Sequence, residues 1–260
     1  MDFQYKDAYH IDDLIRIMRI LRAPDGCPWD RVQTHESIRQ NFIEETYEAV
    51  EAIDKGDAAL LKEELGDVLM QVIFHSLMEE EAGRFTFDDV CHEVCQKLII
   101  RHPHVFGSIA ADTPEEVLKN WDAIKMQTKS QSVADSVDDV ARSLPALMRA
   151  QKVQKRSAKS GMDFESVADA AAKVPEEQSE LFAAIDSGDQ AKIEEELGDL
   201  LFSVVNVARF VGVDAEQALY RSTDKFSKRF RAVETLAGER GVDLKNAPVS
   251  LMDSLWEEVK

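Results

Sequence analysis

A segment of this chain occurs twice. Glu44-Glu45-Thr46-Tyr47-Glu48 returns as Glu176-Glu177-Gln178-Ser179-Glu180, 132 positions further on. At the same offset Ala52-Ile53-Asp54 becomes Ala184-Ile185-Asp186, Gly56-Asp57 becomes Gly188-Asp189, and Glu63-Glu64-Leu65-Gly66-Asp67 becomes Glu195-Glu196-Leu197-Gly198-Asp199. Over residues 44–69, 15 of 26 positions are identical without a gap, so the chain is two copies of one unit. The likeness continues more loosely: Lys97 and Arg101 correspond to Lys225 and Arg229, and Trp121 with Lys125 to Trp256 with Lys260, each pair at i, i+4. Thr128 to Val140 is polar and rich in Ser and Asp, and reads as a linker. The expected organisation is an N-terminal copy over 1–127, a linker over 128–140 and a C-terminal copy over 141–260.

Each copy reads as helical. Val174, Leu181, Phe182 and Ile185 fall near one helix face, as do Leu197, Leu200, Leu201 and Val204. Only 11 Gly and 7 Pro interrupt 260 residues, which favours helices over a sheet-rich fold. Gly56-Asp57 and Gly188-Asp189 carry turn chemistry, Gly as a helix C-cap and Asp as the next N-cap. So short a loop makes the flanking helices antiparallel neighbours, and further helices, including the one bearing Lys225 and Arg229, must complete a bundle. The fold class expected is all-α, a tandem repeat of a helical bundle.

The hairpin arithmetic places four carboxylates together in each copy. Counting from Gly188, Glu180 and Glu196 each lie eight residues away, ~12 Å along their helices, and Glu177 and Asp199 each lie eleven away, ~16 Å. Each pair is thus level across the hairpin, and the i, i+3 spacing puts both members on one helix on one face. About Gly56, Glu48 stands opposite Glu64 and Glu45 opposite Asp67 in the same way. A solvated acidic face is the ordinary fate of glutamates on helices. Four facing carboxylates, however, repel unless divalent cations neutralise them, and Mg²⁺ suits an all-oxygen set while sharing phosphate oxygens. A di-iron bundle would want Glu-x-x-His, and Asp67 and Asp199 occupy that His slot. Lys225 and Arg229 offer two cations on one face for phosphate, against the plainer reading of a solvated stripe. Trp256 is suited either to stacking on a base or to capping the core.

Charge and composition exclude several classes. Fifty acidic against 31 basic residues give a net charge of −19, without the basic footprint that nucleic-acid binding requires. No apolar run approaches the ~18 residues of a membrane span, and the polar Met1–His10 start lacks a signal-peptide pattern, so a cytoplasmic protein without a membrane partner is expected. No Gly-rich phosphate loop is present. Cys91, His92 and Cys95 lack a second ligand pair for zinc, so the cysteines, Cys27 included, read as buried or half-buried thiols.

Glu-Glu-x-x-Glu followed by Glu-Leu-Gly-Asp, twice over, together with Gly26-Cys27-Pro28-Trp29-Asp30 and Gln33-Thr34-His35, resembles the MazG family of nucleoside triphosphate pyrophosphohydrolases. The resemblance covers nearly the whole chain. It implies an all-α fold, usually a homodimer, that uses Mg²⁺ to convert NTPs and dNTPs to monophosphate and pyrophosphate, with catalysis in the C-terminal copy. Carried over, the metal ligands fall on Glu177, Glu180, Glu196 and Asp199. The nucleotide contacts fall on Lys173, Lys192, Glu195, Lys225, Arg229 and Trp256, with Asn206 a further family position. Glu195 would orient or deprotonate the attacking water, with Glu176 as an alternative. The N-terminal copy has the equivalent quartet, Glu45, Glu48, Glu64 and Asp67, but Asn41 and Leu60 stand where the C-terminal copy has Lys173 and Lys192. A protein that binds metal or nucleotide without turnover, as scaffold or sensor, is the competing expectation.

Overall fold

Each repeat is built around a Gly-Asp turn that ends one helix and starts the next. In a computed structural model, which describes residues 3–111, 113–129 and 132–260, Gly56 closes α2 (Arg39–Lys55) at φ 66° and Gly188 closes α9 (Val167–Ser187) at φ 70°. This left-handed backbone suits a residue without Cβ. The following aspartates cap the next helix: Asp57 accepts from the amides of Ala59 and Leu60 at the start of α3 (Ala58–Glu81), and Asp189 from those of Ala191 and Lys192 at the start of α10 (Gln190–Phe210).

The chain divides into two compact units, residues 1–125 and 126–260. In the first, α3 receives α1 (Ile11–Arg22), α2 and α4 (Phe87–Arg101), and the core gathers Met18, Ile38, Ile73, Phe74, Leu77 and Met78. A short α5 (Pro103–Phe106) and α6 (Pro114–Lys129) follow. In the second, α10 packs on α9 and on α8 (Ala146–Ser157), while α11 (Ala215–Glu239) packs on α8, α10 and α12 (Val249–Glu258). Its distal core is Val233, Ala237 and Leu255, with Trp256 packed against it. The 128–140 stretch expected as a linker is partly regular: α6 runs to Lys129, α7 (Val133–Asp138) is capped by Ser132, and Val140 is buried. The described residues contain helices and no strand, an all-α fold.

One expectation about packing needs correction. The apolar stripes of the hairpins are only partly covered within their own unit: Val174, Leu181 and Leu200 are half-buried, whereas Phe182 is 56% exposed and Ile185, Leu197, Leu201 and Val204 are exposed too. The helix bearing Lys225 and Arg229 packs on α8, α10 and α12 but leaves these side chains uncovered. Ile53, Leu65 and Leu69 are exposed in the first unit.

Candidate metal and nucleotide site

In the second unit the hairpin brings carboxylate oxygens of Glu177, Glu196 and Asp199 within 4.8 Å of one another. Glu177 and Glu196 are half-buried and Asp199 is exposed at the rim. Burial pushes the Glu196 carboxyl above its ordinary range, and the charges of Glu180, Glu195, Asp199 and Glu177 push it further. Glu180 is itself exposed and stands beside this trio as the largest single charge acting on Glu196. The first unit repeats the arrangement with Glu45, Glu64 and Asp67, again within 4.8 Å. Burial, then Glu48, raises Glu64; burial, then Asp67, raises Glu45. The strongest neighbour in each case is the carboxylate level with it across the hairpin.

Oxygen atoms alone, from two helices, form a donor set that suits a hard divalent cation. Among the described residues these are the two places where three such side chains converge. The cysteines do not join them: all three are free, Cys27 and Cys91 half-buried and Cys95 exposed, so the expectation of burial fails for Cys95.

The cations are distributed unevenly. Lys173 Nζ lies 2.7 Å from Glu176 Oε1 and 3.3 Å from Glu177 Oε1, which raises its own pKa, chiefly through the hydrogen bond to Glu176. Lys192 projects exposed from the first turn of α10, and Glu195 is exposed one turn later. Lys225 and Arg229 stand on α11, where Arg229 donates to the Lys260 carbonyl oxygen at 3.5 Å. No hydrogen bond or ion pair among the described residues ties these two, or Trp256, to the carboxylates. Trp256 packs at 5.3 Å from the Phe226 ring, and with Phe230, Val233 and Leu244 lines a largely apolar cavity. In the first unit Arg101 covers the Trp121 ring at 5.0 Å; the Lys125 side chain lies outside the described residues. Asn206 lies further along α10, its Oδ1 accepting from Arg209 Nε at 2.9 Å.

Two polar groupings escape sequence reasoning. His35 and His75 stack at 5.0 Å with Nδ1 atoms 2.7 Å apart, His35 Nε2 meets Glu79 Oε1 at 2.6 Å, and Arg84 holds Glu79 from the other side. His35 marks the motif, but its partner 40 positions away carries no local signal. In the second unit Gln154 is 5% exposed at an inward position of α8, between α8 and α10. An amide interrupting the apolar stripe of Ala150 and Val153 is the signal that could have found it.

Level carboxylate pairs on a helical hairpin, with Lys173 beside one set, are an arrangement suited to a divalent cation and a phosphate-bearing ligand in an all-α protein. A family model described as the MazG nucleotide pyrophosphohydrolase domain matches residues 33–106 and again 165–233. The chain is 46% identical over 254 residues to the nucleoside triphosphate pyrophosphohydrolase of Escherichia coli K12, covering 96% of this chain and 97% of that one. It is 43% identical over 249 residues to the nucleoside triphosphate pyrophosphohydrolase/pyrophosphatase MazG of Thermotoga maritima, covering 96% and 95%. It is 44% identical over 257 residues to YabN of Bacillus subtilis, covering 98% of this chain and 53% of that one. The chain belongs to the MazG nucleotide pyrophosphohydrolase family.

Proposed function

We propose that the second unit hydrolyses nucleoside triphosphates, ribo- and deoxyribo- alike, to monophosphate and pyrophosphate, with Mg²⁺ held by Glu177, Glu180, Glu196 and Asp199. The observation that carries this reading is the convergence of Glu177, Glu196 and Asp199 within 4.8 Å, with Lys173 one helical turn before Glu177. Mg²⁺ bound there supplies charge neutralisation for the phosphates and makes water more acidic. Lys173 and Lys192, each four residues before a ligand, bind the triphosphate oxygens, and Lys225 and Arg229 neutralise its far end. Glu195 accepts the proton of the water that attacks the α-phosphorus, while the bond to the α–β bridging oxygen breaks and pyrophosphate leaves. Glu176 is the weaker candidate for that role because Lys173 already holds its carboxylate at 2.7 Å. Packing of Trp256 against Val233, Ala237 and Leu255 favours its core role over base stacking.

The first unit holds metal through Glu45, Glu48, Glu64 and Asp67 but lacks the two lysines, and serves packing, dimerisation or regulation. The exposed stripes of Phe182, Ile185, Leu197 and Leu201 support a homodimer in which a second copy covers them. With a net charge of −19, nucleic acid is not a partner, and no helix of the described residues is long and apolar enough to cross a membrane. A cytoplasmic place is consistent with that.

Incubating the full chain with mixed NTPs and Mg²⁺ and resolving the products tests the reading. Monophosphate and pyrophosphate are expected as first products. NDP with orthophosphate would overturn the bond assignment, and tight nucleotide binding without turnover would favour a sensor.

A further inference from the structure

The contact between His35 and His75 in the first unit has a proton count that its geometry fixes. His35 lies in the segment leading into α2 and His75 on α3, and their Nδ1 atoms are 2.7 Å apart, a hydrogen bond that needs one proton between them. On its far side His35 Nε2 meets Glu79 Oε1 at 2.6 Å. Arg84 also holds Glu79, whose pKa falls to about 2, so the carboxylate can only accept and His35 Nε2 carries a proton. With both rings neutral, the shared proton therefore belongs to His75. Its Nδ1–H donates to His35 Nδ1, and its Nε2 is left bare, buried and without a partner.

One added proton leaves the contact intact. It occupies His75 Nε2, the shared proton passes from His75 Nδ1 to His35 Nδ1, and the charge rests on His35, which is 37% exposed and faces Glu79. A second added proton puts N–H on both Nδ1 atoms, and two donors do not stay 2.7 Å apart. The charges on the surrounding elements do not relieve this. Burial, then the charge of His35, holds His75 below its ordinary value, and α2 presents only the Phe42 ring, 5.5 Å away. Glu36, next to His35, is held by its own backbone amide and by Thr34. On α1, Arg19 and Arg22 are paired with Glu80 and Glu81. On α4, Asp89 bonds Thr86 and feels His92, while Asp88 lines a cleft with Arg19.

The contact also has something to hold. Three residues beyond His35, Ile38 is 1% exposed and shares a core with Ile73 and Phe74, the residues just before His75. We propose that His35 and His75 form a proton-operated latch: sharing one proton they seat the 33–38 segment and Ile38 on α3, and charging both rings releases them. Acid thus loosens the start of the α2–α3 hairpin, in the unit that lacks the two lysines. The folded pKa of His75 is the lower one, so the latch is fully closed above about pH 6.5 and weakens as pH falls, by about tenfold per pH unit for each proton taken up on opening.

Amide hydrogen exchange of the full chain at pH 7.5 and 5.5, corrected for intrinsic rates, tests this, together with imidazole ¹H–¹⁵N spectra at pH 8. Wild type is expected to lose about tenfold of its protection over residues 36–42 on acidification, with α10 unchanged. His35→Gln places an amide oxygen that accepts from His75 Nδ1–H whether or not His75 is charged, and should shrink that loss to within about twofold. His75→Phe removes the titrating ring and should do the same. At pH 8 the His75 signal, assigned by its absence from His75→Phe, is expected to show a proton on Nδ1. An equal acid-dependent loss in wild type and His35→Gln, or a His75 protonated on Nε2 alone at pH 8, would overturn the latch.

Discussion

The two copies hold the same carboxylates and differ in the cations beside them, which makes their inequality measurable. A Glu48→Ala, Asp67→Ala double variant and a Glu180→Ala, Asp199→Ala double variant remove equivalent pairs from the two hairpins. In the second unit Lys173 Nζ already lies 3.3 Å from Glu177, and Lys192 stands four residues before Glu196, the positions proposed above to contact the triphosphate. In the first unit the same positions are Asn41 and Leu60. Losing one preorganised charged contact to a developing oxyanion costs about a hundred- to a thousand-fold in rate, and losing two costs about 10⁴-fold or more if they act independently. On the proposed mechanism nearly all turnover is expected from the second unit. Initial rates of pyrophosphate release should stay within about twofold of wild type in the first variant, and fall by about 10³-fold or more in the second. Helical circular dichroism and sedimentation of both variants check fold and assembly. Comparable losses in the two variants, with fold and assembly intact, would refute the reasoning.

Three further outcomes follow from the same geometry. Mg²⁺ should raise the thermal midpoint of the wild type, and Glu196→Gln, which removes one charge from a crowded set, should melt no lower than wild type without metal while losing part of the Mg²⁺-dependent rise; an undiminished rise would show that Glu196 is not a ligand. Gly188→Ala forces a Cβ into φ 70° and should cost about 1 kcal/mol in urea unfolding, and no loss would mean the turn relaxes. Glu79 is held at about 2 against an ordinary 4.5, chiefly by Arg84 and then by His35. Because the folded value is the lower one, its stabilisation is complete above about pH 4.5 and disappears as pH falls towards 2. Denaturation midpoints at pH 5.5 and pH 3 should therefore differ less in Glu79→Gln than in wild type, and an identical difference would count against the network.

What the sequence displays is whatever depends on short spacings. Gly56-Asp57 and Gly188-Asp189 specify a left-handed cap and an N-cap within two residues, and the turn then sets which carboxylates are level. Lys173 reaches Glu176 and Glu177 because i, i+3 and i, i+4 neighbours share a helix face. Lys225, Arg229 and Trp256 are different, because their surroundings depend on how α11 meets α12, which periodicity does not encode. The hairpin stripes misled for a related reason: an apolar face shows that something must cover it, not that the same unit does. Gln154 shows in the sequence only as an amide within the apolar stripe of α8; that its Oε1 is unmet depends on how α8 meets α10.

The two differences between the units at this place leave a checkable trace in stability. In the first unit Phe74 is 3% exposed among Met18, Ile73 and Leu77, so that hairpin is fastened to α1 by a filled core. In the second, the matching position is the half-buried polar Asn206, and α8 packs on α10 with the Gln154 amide donating to the Phe202 carbonyl oxygen. Apolar burial of an aromatic contributes about 1.5–3 kcal/mol, whereas one neutral hydrogen bond contributes about 1. The second unit has thus given up packing at the place where the first retains it. Filling the cavity that Asn206 lines, by Asn206→Phe, should recover part of that difference as a higher denaturation midpoint of the full chain. A variant that gains no stability would show that Asn206 does not stand in the place of lost packing.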